Sequence, residues 1–75
     1  MVKPTKVTNS IRALRSTAGD MTQADLAASV GVTRQTVIAI EQGRYSPSLE
    51  VAFKIAAALG VRLDEVFHYP EEGQS

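Results

Sequence analysis

Between Gln23 and Gln42 the apolar positions recur at helical spacing: Leu26, Ala27 and Val30, a break at Gly31, then Val37 and Ile40. Steps of three and four put each set on one side of a helix, so this stretch predicts two short helices joined by a tight turn. Thr22 and Thr33 stand just before the two helices, where a hydroxyl can accept a bond from an orphan N–H group. Gly31 falls where the first of the pair has to end, in a conformation with φ > 0 that glycine adopts without steric cost. Both apolar stripes then face a shared core, and the polar positions of the second helix face outward.

The flanks extend the same period. A helix is expected to begin after Thr8 or Asn9 and to run to about Thr17, with Ile11 and Leu14 inward and Arg12 and Arg15 to either side. Gly43-Arg44-Tyr45-Ser46-Pro47 reads as a loop, with Gly43 stopping the helix before it and Ser48 capping the next. That next helix covers about Leu49 to Leu59, with Leu49, Ala52, Phe53, Ile55, Ala56 and Leu59 as a broad apolar face, and Gly60 ends it. Leu63 to Phe67 make a short fifth helix whose apolar side is Leu63, Val66 and Phe67. There is no internal repeat and no strand pattern. The expected fold is all-α, five helices with a helix-turn-helix at the second and third. A flexible arm at 1–7 and a flexible tail at 69–75 are expected to flank a domain at 8–68.

Thr22-Gln23, Leu26-Ala27, Gly31, Thr33, Val37, Ile40-Glu41 and Gly43 fall in the register of one known motif. In these residues the chain resembles the helix-turn-helix of the phage repressor and Cro-like (Xre) family of DNA-binding proteins. The small side chain of Ala27 has a reason there, because the two helices cross closely and a larger one would splay them. The resemblance implies a five-helix lambda-repressor-like DNA-binding domain. The connection Ala18-Gly19-Asp20-Met21 is one residue longer than the usual family pattern.

Composition narrows the picture. Seventy-five residues make one small domain; such a chain buries roughly 60% of its unfolded surface, for a net stability of about 4–11 kcal/mol. Without cysteine there is no disulfide framework or thiolate metal site, and the expected compartment is the cytoplasm. No apolar run approaches the ~18 residues of a membrane span, and no signal peptide is expected. Net charge is zero but unevenly placed. Residues 1–44 carry six cations (Lys3, Lys6, Arg12, Arg15, Arg34, Arg44) against Asp20, Asp25 and Glu41, whereas residues 45–75 carry Lys54 and Arg62 against five carboxylates. The half holding the motif is basic, a polarity that orients it toward phosphate.

In this type of motif the second helix lies in the major groove and the first crosses the backbone. A helical wheel puts Gln35, Ala39 and Gln42 opposite the core positions Val37 and Ile40, flanked by Ile38 and Arg34, with Thr33 at the cap. Arg34 suits guanine O6 and N7, Gln35 suits adenine N6 and N7, and Ile38 and Ala39 suit thymine methyls. The resemblance implies base contacts for Thr33, Arg34, Gln35 and Ala39 as well. Gln23 is the expected phosphate contact, at the start of its helix. Arg44 and Ser46 are phosphate candidates too, with a plain loop role as the alternative, and Tyr45 is a weaker one. The family pairs an arginine late in the first helix with a glutamate near the end of the recognition helix, which implies an Arg15–Glu41 clamp. Whether that arginine also reaches phosphate stays open, as does a DNA-touching role for the lysines of the arm.

The expected function is a sequence-specific transcriptional regulator, a repressor in the first instance, acting as a homodimer on a palindromic double-stranded operator. One module buries little surface, which favours pairing by symmetry. Leu63, Val66 and Phe67, with Tyr69 beside them, are the candidate dimer contact or else a cap on the core. Two alternatives use the same fold: an antitoxin that also binds a toxin, and a restriction–modification controller protein. A structural adaptor without DNA fits less well, because such surfaces are richer in anchoring aromatics. His68 has no cysteine or second histidine with which to share a metal, and no nucleophile–base pair or phosphate loop points to an enzyme or a cofactor.

Overall fold

Five helices are present among residues 5–70, the part of the chain that the computed structural model describes. They are α1 (Ile11–Thr17), α2 (Gln23–Val30), α3 (Arg34–Glu41), α4 (Leu49–Leu59) and α5 (Leu63–Val66). A two-residue antiparallel pair accompanies them, β1 (Thr8–Asn9) against β2 (Phe67–His68), with Thr8 opposite His68 and Asn9 opposite Phe67.

Local chemistry accounts for most boundaries. Thr22 and Asp25 form a reciprocal cap at the start of α2, the Asp25 N–H donating to Thr22 Oγ1 at 2.9 Å and the Thr22 N–H to Asp25 Oδ2 at 3.1 Å. Thr33 Oγ1 accepts the Thr36 N–H at 3.1 Å, and Ser48 Oγ accepts the Val51 N–H at 3.2 Å. At the far end of α2, Gly31 sits at φ 89°, which lets the Ala27 carbonyl accept from both Gly31 N (2.8 Å) and Val32 N (3.0 Å). The chain thus turns from α2 into α3 within three residues.

The core is aliphatic. Ile11, Leu26, Ala27, Val30, Val37, Ile40, Ala52, Ile55, Ala56, Leu59 and Val66 are buried, with no buried polar or charged residue among them. Leu14, Met21, Val32, Tyr45, Val51, Val61 and Phe67 pack around it. No helix among the described residues is long and apolar enough to cross a membrane.

The structure departs from expectation in five places, the first being that α5 ends at Val66, since Phe67 takes extended backbone (φ −115°, ψ 141°) and pairs in β2. α1 starts at Ile11 rather than directly after Thr8 or Asn9, because Asn9 Oδ1 takes up the Ile11 N–H at 3.1 Å and Asn9 itself belongs to β1. The strand pair was not expected; it closes the two ends of the domain on each other, helped by the Ser10 N–H on the Val66 carbonyl at 2.9 Å, and it makes His68 part of the fold. Only part of the expected α4 face is covered: Leu49 and Phe53 are 66% and 54% exposed. Lastly, Val66 is 0% exposed, so it serves the core and no surface contact with another molecule. Of the expected arm, 1–4 lie outside the described residues, as do 71–75 of the tail.

Candidate nucleic-acid interface

The surface begins with how α3 is held. Glu41 closes that helix, and its carboxylate accepts from Arg15 Nε at 2.7 Å, Arg15 Nη2 at 3.2 Å and Gln23 Nε2 at 3.2 Å. Arg15 Nη1 donates further to the Met21 carbonyl at 2.9 Å. The Arg15 and Glu41 side chains are 15% and 9% exposed, so the pair is shielded from water on most sides. α1, the start of α2 and the end of α3 therefore meet in one knot of charge-assisted bonds. Asn9 adds a second tie, its Nδ2 donating to the Ile40 carbonyl at 2.9 Å.

The connection before α2 is part of this knot. Gly19 and Asp20 both take positive φ (78° and 57°), and the chain curls back so that the Met21 N–H donates to the Arg15 carbonyl at 2.9 Å. Met21 is thereby bound to Arg15 twice, through N–H and through C=O.

α3 presents Arg34, Gln35 and Gln42 as exposed side chains without a hydrogen bond or ion pair among the described residues. Thr33 is exposed as well, but its hydroxyl is engaged with the Thr36 N–H and, at 3.0 Å, with Thr36 Oγ1. Ile38 and Ala39 are half-buried and stand apart from the apolar residues packed on the core. Ile38 is thus less open than the wheel implied.

Gln35 and Ala39 share a surface groove of about 670 Å³ with Arg44 and Tyr45, although Tyr45 also packs against the core. Ser46 is not in it; it lines an apolar hollow of about 360 Å³ with Val7, Leu49, Leu63 and Phe67. Gln23 is half-buried, its amide committed to Glu41 through one N–H.

Sequence reasoning passed over Arg12. It placed Arg12 and Arg15 to either side of the buried face of the first helix, whereas both line one groove of about 420 Å³ with Gln23 and Arg34. The spacing held the signal, since residues three apart on a helix are neighbours. Among the described residues no cluster of His, Cys, Asp or Glu is arranged to hold a metal ion.

Comparison with known proteins gives consistent matches. A helix-turn-helix family model matches residues 11–66. An uncharacterized HTH-type transcriptional regulator of Methanocaldococcus jannaschii is 53% identical over 53 residues, covering 71% of this chain and 80% of that protein. The P22 c2 repressor, solved in complex with a synthetic operator, superposes with a TM-score of 0.67 at 30% identity, over 72% of this chain and 80% of that one. The restriction–modification controller protein C.AhdI from Aeromonas hydrophila gives 0.66 at 36% identity, over 73% and 82%.

Proposed function

Because the chain belongs to the Xre/Cro-like helix-turn-helix family of DNA-binding transcriptional regulators, we propose that it represses transcription as a homodimer that inserts α3 into the major groove. The observation that carries this reading is the open face of α3, where Arg34, Gln35 and Gln42 find no acceptor or donor among the described residues. Arg34 reads guanine, Gln35 reads adenine, and Ile38 and Ala39 meet thymine methyls. Thr33, its hydroxyl tied to the cap, contributes its methyl edge. Gln23 and Arg44 bind the flanking phosphates, and Ser46 adds a weaker backbone contact. A repressor of this kind acts by occupying a promoter.

The second copy docks on the side carrying Leu49 and Phe53. They lie four residues apart on α4, hence on one face, next to the hollow lined by Leu63 and Phe67. Phe53→Glu should give a monomer in sedimentation velocity at concentrations where the native chain is a dimer; an unchanged dimer would move the contact elsewhere.

Selection from a random duplex pool tests the function itself. Recovery of a two-fold symmetric sequence with half-sites about one helical turn apart supports it; weak, salt-sensitive retention without enrichment refutes it. The likeness to C.AhdI favours one variant of the same reading, control of a restriction–modification operon. An operator lying upstream of a restriction endonuclease gene would select that variant.

A further inference from the structure

We propose that the groove between α1 and the start of α2 is an additional seat for the DNA backbone, in which Arg12 takes a phosphate and Asp20 opposes it. The inference rests on the DNA-binding reading above. Its basis is how the charges around this groove are used. Arg15 is spent internally, on Glu41 and on the Met21 carbonyl. Arg12, one turn earlier on α1, is exposed and has no hydrogen bond or ion pair among the described residues. It nevertheless lines the same groove as Gln23 and Arg34.

Arg12 and Gln23 also line a second depression, of about 860 Å³, together with Glu41 and Gln42. Arg12 therefore stands between grooves that reach Arg34, at the first turn of α3, and Gln42, at its end. With α3 in the major groove as proposed, a free guanidinium beside both ends of that helix would face the strand that borders the groove. Its planar fork matches two phosphate oxygens, and an ammonium there would keep the charge with only part of that fit.

Asp20 is the counterweight. Its carboxylate lines the same groove, and its side chain has no partner among the described residues. It arrives there from the connection between α1 and α2, at φ 57°, a backbone conformation that Asp and Asn tolerate better than other side chains. A carboxylate at the mouth of a phosphate seat lowers affinity without touching a base, so the pair sets how tightly the protein holds any duplex.

The test is fluorescence anisotropy over a range of salt concentrations. It uses the native chain, Arg12→Gln, Arg12→Lys and Asp20→Asn on the selected operator and on an unrelated duplex, with circular dichroism to verify folding. Arg12→Gln should weaken both complexes alike, roughly tenfold at low salt, and lower the slope of log K against log salt by about 0.9 per bound chain. Arg12→Lys should retain that slope. Asp20→Asn, which keeps the turn, should tighten both complexes severalfold, most at low salt. Native affinity and slope in Arg12→Gln would overturn the seat, as would a loss confined to one base pair or an equal loss in Arg12→Lys. Unchanged binding by Asp20→Asn would overturn the opposing role. A native chain that binds no duplex would refute the functional reading and this inference with it.

Discussion

Replacing Arg15 by methionine keeps most of the stem's volume and removes the charge, and the geometry sets what this should cost. Glu41 would lose its bonds at 2.7 and 3.2 Å and keep one, from Gln23 at 3.2 Å; the Met21 carbonyl would lose its 2.9 Å donor as well. Removing one partner of a buried pair costs about 3–5 kcal/mol, because a charge is left in low dielectric without compensation. With the two side chains 15% and 9% exposed, water relieves some of that penalty, and about 3 kcal/mol is the appropriate figure. For a total stability of about 4–11 kcal/mol, this is a quarter or more of what holds the domain folded. At about 4–8 °C per kcal/mol in a domain of this size, Tm should fall by about 12–24 °C.

Urea and thermal unfolding followed by circular dichroism measure the loss directly, and Arg15→Met combined with Glu41→Leu identifies its cause. Replacing both members of a buried pair by apolar residues is often neutral or better, so the double variant should recover most of the stability lost by the single one. A single variant within about 0.5 kcal/mol of the native chain would refute the reasoning, since that is how an exposed pair behaves. A double variant as unstable as the single one would trace the loss to packing or to the Met21 carbonyl, not to the stranded carboxylate.

Arg34→Ala should relax base preference at one operator position and leave unfolding unchanged, as its side chain has no partner among the described residues; repeating the pool selection on the variant reads this out. Gly31→Ala should cost about 1–2 kcal/mol of stability in urea unfolding, entirely from φ 89°, because a Cβ there meets nothing within 4 Å. The hydrogen bond from Arg62 (3.0 and 3.1 Å) holds the Asp64 carboxyl below its ordinary value of 3.8. A depressed carboxyl favours the folded state above its unfolded value and stops doing so as pH falls through the folded one. Arg62→Gln should therefore move the Asp64 midpoint upward in a carbon-detected NMR titration, with only a slight change in acid stability because both groups are exposed.

What could be read from the sequence was what local spacing determines. The run from Thr22 to Gln42 carries its own caps, its own stop at Gly31 and its own apolar period, and the helix-turn-helix followed from these without knowledge of the rest. The strand pair did not, because Thr8–Asn9 and Phe67–His68 are too short to show a period and meet only after the bundle has closed. Asn9 escaped for the same reason: its amide finds the Ile40 carbonyl 31 residues away. On α4 the wheel gave a broad apolar face without saying where cover ends, since that depends on which neighbours lie over it. Leu49 and Phe53 fall beyond the edge and Val66 on α5 falls inside it. Arg12 was visible as a neighbour of Arg15, but the groove it shares with Arg34 exists only once α2 has been laid across α1.

The open face of α3 and its support thus differ in kind. Every side chain on the open face of α3 lies within ten residues of Thr33, so the local period alone orients the face. What aims that face depends on Glu41, which three donors from two other elements hold in place. The connection at 18–21 falls inside this support, with Gly19 and Asp20 in left-handed conformations. Met21 then returns to Arg15 through both its N–H and its C=O, so the arginine remains in reach of Glu41. The connection leaves the clamp closed and sets the Asp20 carboxylate at the edge of the groove that Arg12 and Arg34 line. Should Asp20 oppose a phosphate there, as proposed, the same connection that keeps the clamp closed also sets the affinity for duplex.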